Sequence, residues 1–226
     1  MNPQRLVIIG GVAGGASAAA RARRLSEEAE IIVLERGPHV SFANCGLPYF
    51  VGGEIANEED LLVQTPKSLH SRFNLDVRVK SEVVSIDREA KSVSVRELTS
   101  GREYALPYDA LVISTGAAPL TPPIPGIERL GHFTVRNVPD VVRIKSWISE
   151  SEGTRAVVVG GGYIGLEMAE QLVRHGGVSV SLVEALPQVM APLDPEHHGP
   201  QCQLPRHARH RSAASLWPHR RLHGRE

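Results

Sequence analysis

Leu6-Val7-Ile8-Ile9-Gly10-Gly11-Val12-Ala13-Gly14-Gly15 runs from a short apolar segment straight into a glycine-rich loop. The apolar run suits a buried parallel strand, and the small-residue stretch Ala16 to Leu25 that follows the loop favours helix. Ile31-Ile32-Val33-Leu34 reads as the next strand and ends at Glu35, which lies 20 positions after Gly15. Strand, loop, helix, strand and terminal carboxylate in this order form a β-α-β unit of the dinucleotide-binding kind. In such a unit the acid accepts hydrogen bonds from an adenosine ribose, and the glycines let the backbone approach a pyrophosphate stabilised by unpaired N–H groups of the helix N-terminus. A strict G-x-G-x-x-G would place glycine where Val12 stands, so by itself this loop is weak evidence.

A second unit changes the weight of the first. Ala156-Val157-Val158-Val159 leads into Gly160-Gly161-Gly162-Tyr163-Ile164-Gly165-Leu166-Glu167. A helical pattern follows, with Gly176 and Gly177 as C-terminal caps, and then Val178 to Val183 ends at Glu184, 19 residues after Gly165. Here Gly160, Gly162 and Gly165 all fit the motif. Two such folds in tandem imply two dinucleotides.

Between them, Val77-Arg78-Val79, Glu82 to Ile86 and Ser92 to Val95 alternate as half-exposed strands do. They predict a small meander laid on the first domain and ending in a buried strand from Ala110 to Ser114. Pro119, Pro122, Pro123 and Pro125 then form a stiff, extended connection. The remaining landmark is Ser41-Phe42-Ala43-Asn44-Cys45-Gly46-Leu47-Pro48-Tyr49. Its cysteine lies about 30 residues past the first loop and has no near partner, since Phe50 occupies the position five further on. An isolated cysteine is usually a buried structural residue, whereas one beside nucleotide loops suits redox work.

Composition excludes several classes. Lys plus Arg equals Asp plus Glu, at 25 each, so no electrostatic case for nucleic acid exists. The alanine-rich N-terminus is no secretory signal, because five of residues 10 to 20 are glycine or serine. No apolar run is long enough to span a membrane. Two cysteines exclude a disulfide framework, which fits a reducing cytoplasm. His39, His70, His132 and His175 lack ligand spacing, and no metal is expected.

On these motifs, together with Leu111-Val112-Ile113-Ser114-Thr115-Gly116-Ala117, the chain from about Leu6 to Glu196 resembles the N-terminal part of a pyridine nucleotide-disulfide oxidoreductase. It resembles the single-cysteine branch that includes coenzyme A-disulfide reductases and NADH oxidases and peroxidases, and within it most the coenzyme A-disulfide reductases, whose first loop likewise lacks the middle glycine. The resemblance implies an α/β fold with tandem Rossmann-like FAD- and NAD(P)-binding domains, glutathione-reductase-like and truncated in the second. It sets an FAD-binding domain at 1–118 with the meander at about 77–109, a connecting segment at 119–153 and an incomplete NAD(P)-binding domain at 154–196. It also implies FAD at Gly10, Val12, Ala13, Gly14, Gly15, Glu35, Val84, Thr115 and Gly116, and NAD(P)H at Gly160, Gly162, Tyr163, Ile164, Gly165 and Glu184. NADH is expected to be preferred, because a carboxylate at Glu184 accepts from a 2′-hydroxyl and repels a 2′-phosphate.

The implied chemistry is reduction of coenzyme A disulfide, or a related small disulfide or persulfide, through a mixed disulfide at Cys45. Ser17, Arg21, Arg24, Ser41 and Asn44 would line the substrate site. Arg21 and Arg24 share a helical face, and an arginine pair suits a phosphate-bearing substrate. The bland alternatives are a solvated helix end for Arg21, Arg23 and Arg24, and helix capping for Ser41 and Asn44. An NADH oxidase or peroxidase using a Cys45 sulfenic acid is the competing use of the same geometry, and a truncated non-catalytic fragment is the third reading. Family members are homodimers through a later domain that is not expected here. From His197 to Glu226 the chain holds six of its ten histidines, six arginines, one acid and no lysine, valine or isoleucine. That segment is expected to be aberrant and disordered, the product of a reading-frame shift.

Overall fold

The computed structural model describes residues 4–151, 155–174, 178–186, 188–190, 193 and the backbone of 211–212. The chain divides into two compact units, Met1–Ala43 with Glu59–Leu120, and Asn44–Glu58 with Thr121–Glu226.

The first unit is built on a parallel sheet in the order β3-β2-β1-β7, from β1 (Arg5–Ile9), β2 (Glu30–Leu34), β3 (Asp76–Arg78) and β7 (Ala110–Ile113). Alternation along β1 and β2 decides its layers. Val7, Ile9, Ile32 and Leu34 face one way and pack on Val93, Val95 and Leu106. Ile8, Ile31 and Val33 face the other way and pack on Ala19, Val40, Leu69 and Leu75. The first face is covered by an antiparallel meander of β4 (Ser81–Asp87), β5 (Ser92–Glu97) and β6 (Glu103–Pro107). The second is covered by α1 (Ala13–Leu25) and α3 (Pro66–Phe73), whose buried side chains belong to that cluster. Burying each such aliphatic side chain contributes roughly 1.5–3 kcal/mol, which is why a strand hydrophobic on both faces ends up between two layers.

Three expectations are corrected here. Val77 and Val79 do not begin the meander, since Asp76–Arg78 pairs in parallel with β2, and the third meander strand is Glu103–Pro107. The strand at Ala110 is not buried. It pairs only with β1 among the described residues, and Ile113 is 62% exposed at the sheet edge. Helix α1 starts at Ala13, three residues before the alanine run.

The second unit repeats strand, loop, helix and strand in β8 (Arg155–Val159), α5 (Tyr163–Arg174) and β9 (Ser179–Val183), with the two strands parallel. Arg211–Ser212 (β10) adds an antiparallel pair to β9. Two further helices belong here: α2 (Leu47–Gly52), and α4 (Val138–Glu150) inside the segment read as a plain connection. A capping box starts α4, with Asp140 N–H donating to Asn137 Oδ1 at 3.0 Å and Asn137 N–H donating back to Asp140 Oδ2 at 3.2 Å. Gly176 and Gly177, and the tail expected to be disordered apart from Arg211 and Ser212, lie outside the described residues.

Candidate functional site

Register brings the first loop together. Ile9 pairs with Leu34 and Ile113, so Gly10, Glu35 and Ser114 leave the sheet side by side at the carboxyl ends of its strands, where open parallel sheets bind ligands. Gly10 has φ +95°, and a Cβ on it would overlap the carbonyl of Ser114; one on Gly15 would overlap the carbonyl of Gly10. These two glycines are therefore demanded by backbone packing. Gly14 and Ala13 are exposed in the first turn of α1, whose N-cap Val12 makes no side-chain capping bond, so the first-turn N–H groups suit an anion.

Glu35 closes the loop. Its Oε2 accepts the Gly11 N–H at 2.8 Å, and its Oε1 accepts the Gly37 N–H at 2.7 Å. Of the remaining positions in this unit, Thr115 and Gly116 are exposed just past β7, Gly116 with φ +66°. Val84 is the extra residue where the β4–β5 register shifts between Val83 and Ser85, and it is 41% exposed. A bulge leaves such a residue outside the ladder.

The second unit repeats the device. Val159 pairs with Val183, so Gly160 and Glu184 leave β8 and β9 together. Gly160 has φ +103°, and a Cβ on Gly165 would overlap the Gly160 carbonyl. Glu184 Oε2 accepts the Gly161 N–H at 2.6 Å, while Oε1 accepts the Leu186 N–H at 2.9 Å. The Leu186 N–H first, then those of Gly161 and Ala185, hold the Glu184 carboxyl below the usual carboxylate range. A Cβ on Gly162 would meet nothing, and Gly162, Tyr163 and Ile164 are all exposed. The donor groups, open glycine surface and anchored acid fit a dinucleotide in each unit. The bridges from Glu35 and Glu184 to the loop N–H groups were not foreseen from the sequence; the paired Gly-Gly at the end of each strand is the signal that accompanies them.

The candidate substrate residues fall in both units. Ser17, Arg21 and Arg24 are exposed at helical spacing along one face of α1, and the two arginines make no hydrogen bond or ion pair among the described residues. Arg23 does something else. Its guanidinium donates to the carbonyls of Phe73 (2.8 Å), Ser26 (3.1 Å), Glu27 (2.6 Å) and Asn74 (3.0 Å), tying the end of α1 to the end of α3. The reading of all three arginines as a solvated helix end is therefore wrong for Arg23.

Ser41 is left-handed at φ +46°. Its N–H donates to the Gly11 carbonyl, and its own carbonyl accepts from Val63 and Gln64. In the second unit Asn44, Cys45 and Gly46 form a 3-10 turn running into α2, and Cys45 is a free, exposed thiol. The N-cap of α2 is Gly46 without a side-chain capping bond, so neither Ser41 nor Asn44 caps it. Instead Asn44 Oδ1 accepts from Arg136 Nη1 at 3.5 Å, a residue the sequence did not single out. His70 and His132 each set Nδ1 against a carbonyl, of Leu75 and Arg129 respectively, and His175 lies outside the described residues. Among the described residues no cluster of metal-ligating side chains occurs, and no helix is long and apolar enough to cross a membrane.

A profile of the pyridine nucleotide-disulphide oxidoreductases matches residues 4–202. The chain belongs to this family. Among pyridine nucleotide-disulphide oxidoreductases it is 35% identical over 201 residues to the coenzyme A disulfide reductase of Staphylococcus epidermidis, covering 87% of this chain and 44% of that protein. The reduced CoADR-RHD of Bacillus anthracis shares 53% identity with a TM-score of 0.83, over 87% of this chain and 35% of the other. The NAD-dependent persulfide reductase of A. fulgidus shares 38% with a TM-score of 0.81, over 85% and 36%. The chain thus spans less than half the length of these relatives.

Proposed function

We propose that this chain supplies the flavin loop, the reacting thiol and the nicotinamide loop of a reductase acting on coenzyme A disulfide or a related small disulfide or persulfide. The observation that carries the reading is Cys45, the one exposed thiol among the described residues, at the head of α2 in a chain with two anchored glycine loops. FAD would be held by Gly10, Val12, Ala13, Gly14, Gly15, Glu35, Val84, Thr115 and Gly116, and NADH by Gly160, Gly162, Tyr163, Ile164, Gly165 and Glu184. When bound, the flavin would supply the two electrons that NADH delivers. Ser17, Arg21, Arg24, Ser41 and Asn44 would bind the substrate, the arginines through its phosphates.

In the thiol step, the Cys45 thiolate attacks one sulfur of the substrate disulfide. A bond forms from Cys45 Sγ to that sulfur as the substrate S–S bond breaks, and one thiolate leaves. Two electrons and a proton then return Cys45 to its thiolate and release the second thiol. The relatives named for coenzyme A disulfide and for persulfide support this over the oxidase reading, although an NADH oxidase of Methanocaldococcus jannaschii is also 34% identical over 85% of this chain. The test is Cys45→Ser. The variant is expected to keep its flavin absorbance, to form no coenzyme A adduct by mass spectrometry and to lose NADH-dependent disulfide reduction. Retained disulfide reduction by the variant would overturn the reading, and a parent that consumes NADH with oxygen or peroxide alone, and not with the disulfide, would assign the oxidase or peroxidase reading.

A further inference from the structure

We propose that Glu54, Gln171 and Arg174 are positioning residues for Cys45, a proposal that rests on the reading of Cys45 as the reacting thiol. Helix α2, which begins two residues after Cys45, has six residues, too few to hold together alone. Packing against α4 and α5 holds it, with Leu47, Pro48, Phe50 and Val51 buried. On the α4 side, Lys145 Nζ sits 4.0 Å from the centre of the Phe50 ring and donates to the Ala56 carbonyl at 3.4 Å. On the α5 side the contact is polar. Gly53, left-handed at φ +85°, turns the chain after α2, and Glu54 Oε1 accepts Arg174 Nη1 at 2.6 Å and Gln171 Nε2 at 3.2 Å. Arg174 Nη2 also reaches Glu170 at 2.8 Å.

Gln171 is the unusual member. It is 1% exposed, its Oε1 has no hydrogen-bond partner among the described residues, and its amide lies against Gly52, where a Cβ would collide with it. An unpaired buried amide oxygen costs about 1–3 kcal/mol, a cost that a leucine of similar volume would avoid. Packing alone does not account for glutamine here; its amide adds a directed bond to Glu54. Glu54 and Arg174 are half exposed, where an ion pair contributes little to global stability. The cluster's effect is therefore on where α2 lies along α5, and so on where the Cys45 turn is presented.

The test uses the full chain with Cys202→Ser, so that Cys45 is the only thiol, and dithiobis-nitrobenzoate as a small aromatic disulfide. The Cys45 thiolate breaks the probe S–S bond, forms a mixed disulfide and releases one coloured thiolate. Neither nucleotide nor flavin is required. E54R and R174E are each expected to slow this reaction about threefold or more at fixed pH, and the E54R/R174E double variant to return it to within about twofold of the parent, as coupled partners do. Gln171 can turn its amide to present Oε1 to the new arginine. Gln171→Leu, which keeps the packing, is expected to slow the reaction as well and serves if the charge variants lose their native circular dichroism. Unchanged or faster rates in folded variants, or a double variant no better than the singles, would overturn the proposal. Failure of the functional reading is separate: it would appear as no coenzyme A disulfide consumption by the parent whatever the probe rates.

Discussion

Glu184 accepts the backbone N–H of Gly161 at 2.6 Å, and Glu35 makes the same bond to Gly11 at 2.8 Å. In each unit the acid that ends the second strand holds the loop that ends the first. A carboxylate at this position thus works before any ribose arrives, fixing the glycine loop in the open form that a dinucleotide would meet.

That bond has a pH consequence. Backbone donors lower the Glu184 pKa in the folded chain, so its contribution to stability is present above the ordinary carboxylate pKa and is lost as pH falls through the lowered one. Glu184→Gln is expected to flatten this part of the acid transition, read as denaturant midpoint against pH from neutrality downward. An acid slope identical to the parent's would refute the assignment.

Gly165 and Gly162 should separate folding from binding. A Cβ on Gly165 runs into the Gly160 carbonyl, whereas one on Gly162 meets open space. Gly165→Ala is expected to destabilise the chain by about 1–3 kcal/mol through forced backbone movement. Gly162→Ala should stay within about 0.5 kcal/mol of the parent while weakening NADH binding, as read by calorimetry. Equal NADH affinity in Gly162→Ala would remove Gly162 from the site.

The arginines of α1 divide in the same way. Arg23 satisfies four carbonyls, so Arg23→Ala should lower stability by about 1–3 kcal/mol. Arg24→Ala is expected to leave stability unchanged and to raise the KM for coenzyme A disulfide with little change in kcat, as loss of ground-state phosphate binding does. A fall in kcat with KM unchanged would argue against a binding role.

What the sequence made legible follows from where its physics is local. Val7 to Ile9 and Ile31 to Leu34 are buried on both faces and read as unbroken apolar runs, and positive φ at Gly10 and Gly160 is written in the glycines themselves. The Asp76–Arg78 strand was misassigned because three residues carry no usable period and only pairing with β2 places them. Glu103–Pro107 was missed because Leu106 is its one buried side chain and proline ends it. At the site, the spacing of Glu35 and Glu184 was visible but their backbone bonds were not. The Gln171–Glu54 bond joins residues 117 positions apart, beyond the reach of any local pattern.

The choice of reductant follows from the same Glu184. With both carboxylate oxygens held by backbone N–H groups and its pKa lowered, the side chain is fully ionised at neutral pH and fixed at the end of β9. A 2′-hydroxyl can donate to a remaining lone pair, while a 2′-phosphate brings like charge to a group that cannot swing away without giving up the Gly161 and Leu186 bonds. NADH is therefore expected to exceed NADPH in kcat/KM by about tenfold or more, equivalent to about 1.4 kcal/mol. Glu184→Gln should narrow that ratio chiefly by improving NADPH, since the amide keeps an acceptor and sheds the charge. Steady-state kinetics with both nucleotides, at low and high salt, would check it: added salt should narrow the parent's ratio and leave the variant's unmoved. A parent that uses NADPH as well as NADH would show that the carboxylate faces away from the ribose, leaving it only its role on the Gly161 loop.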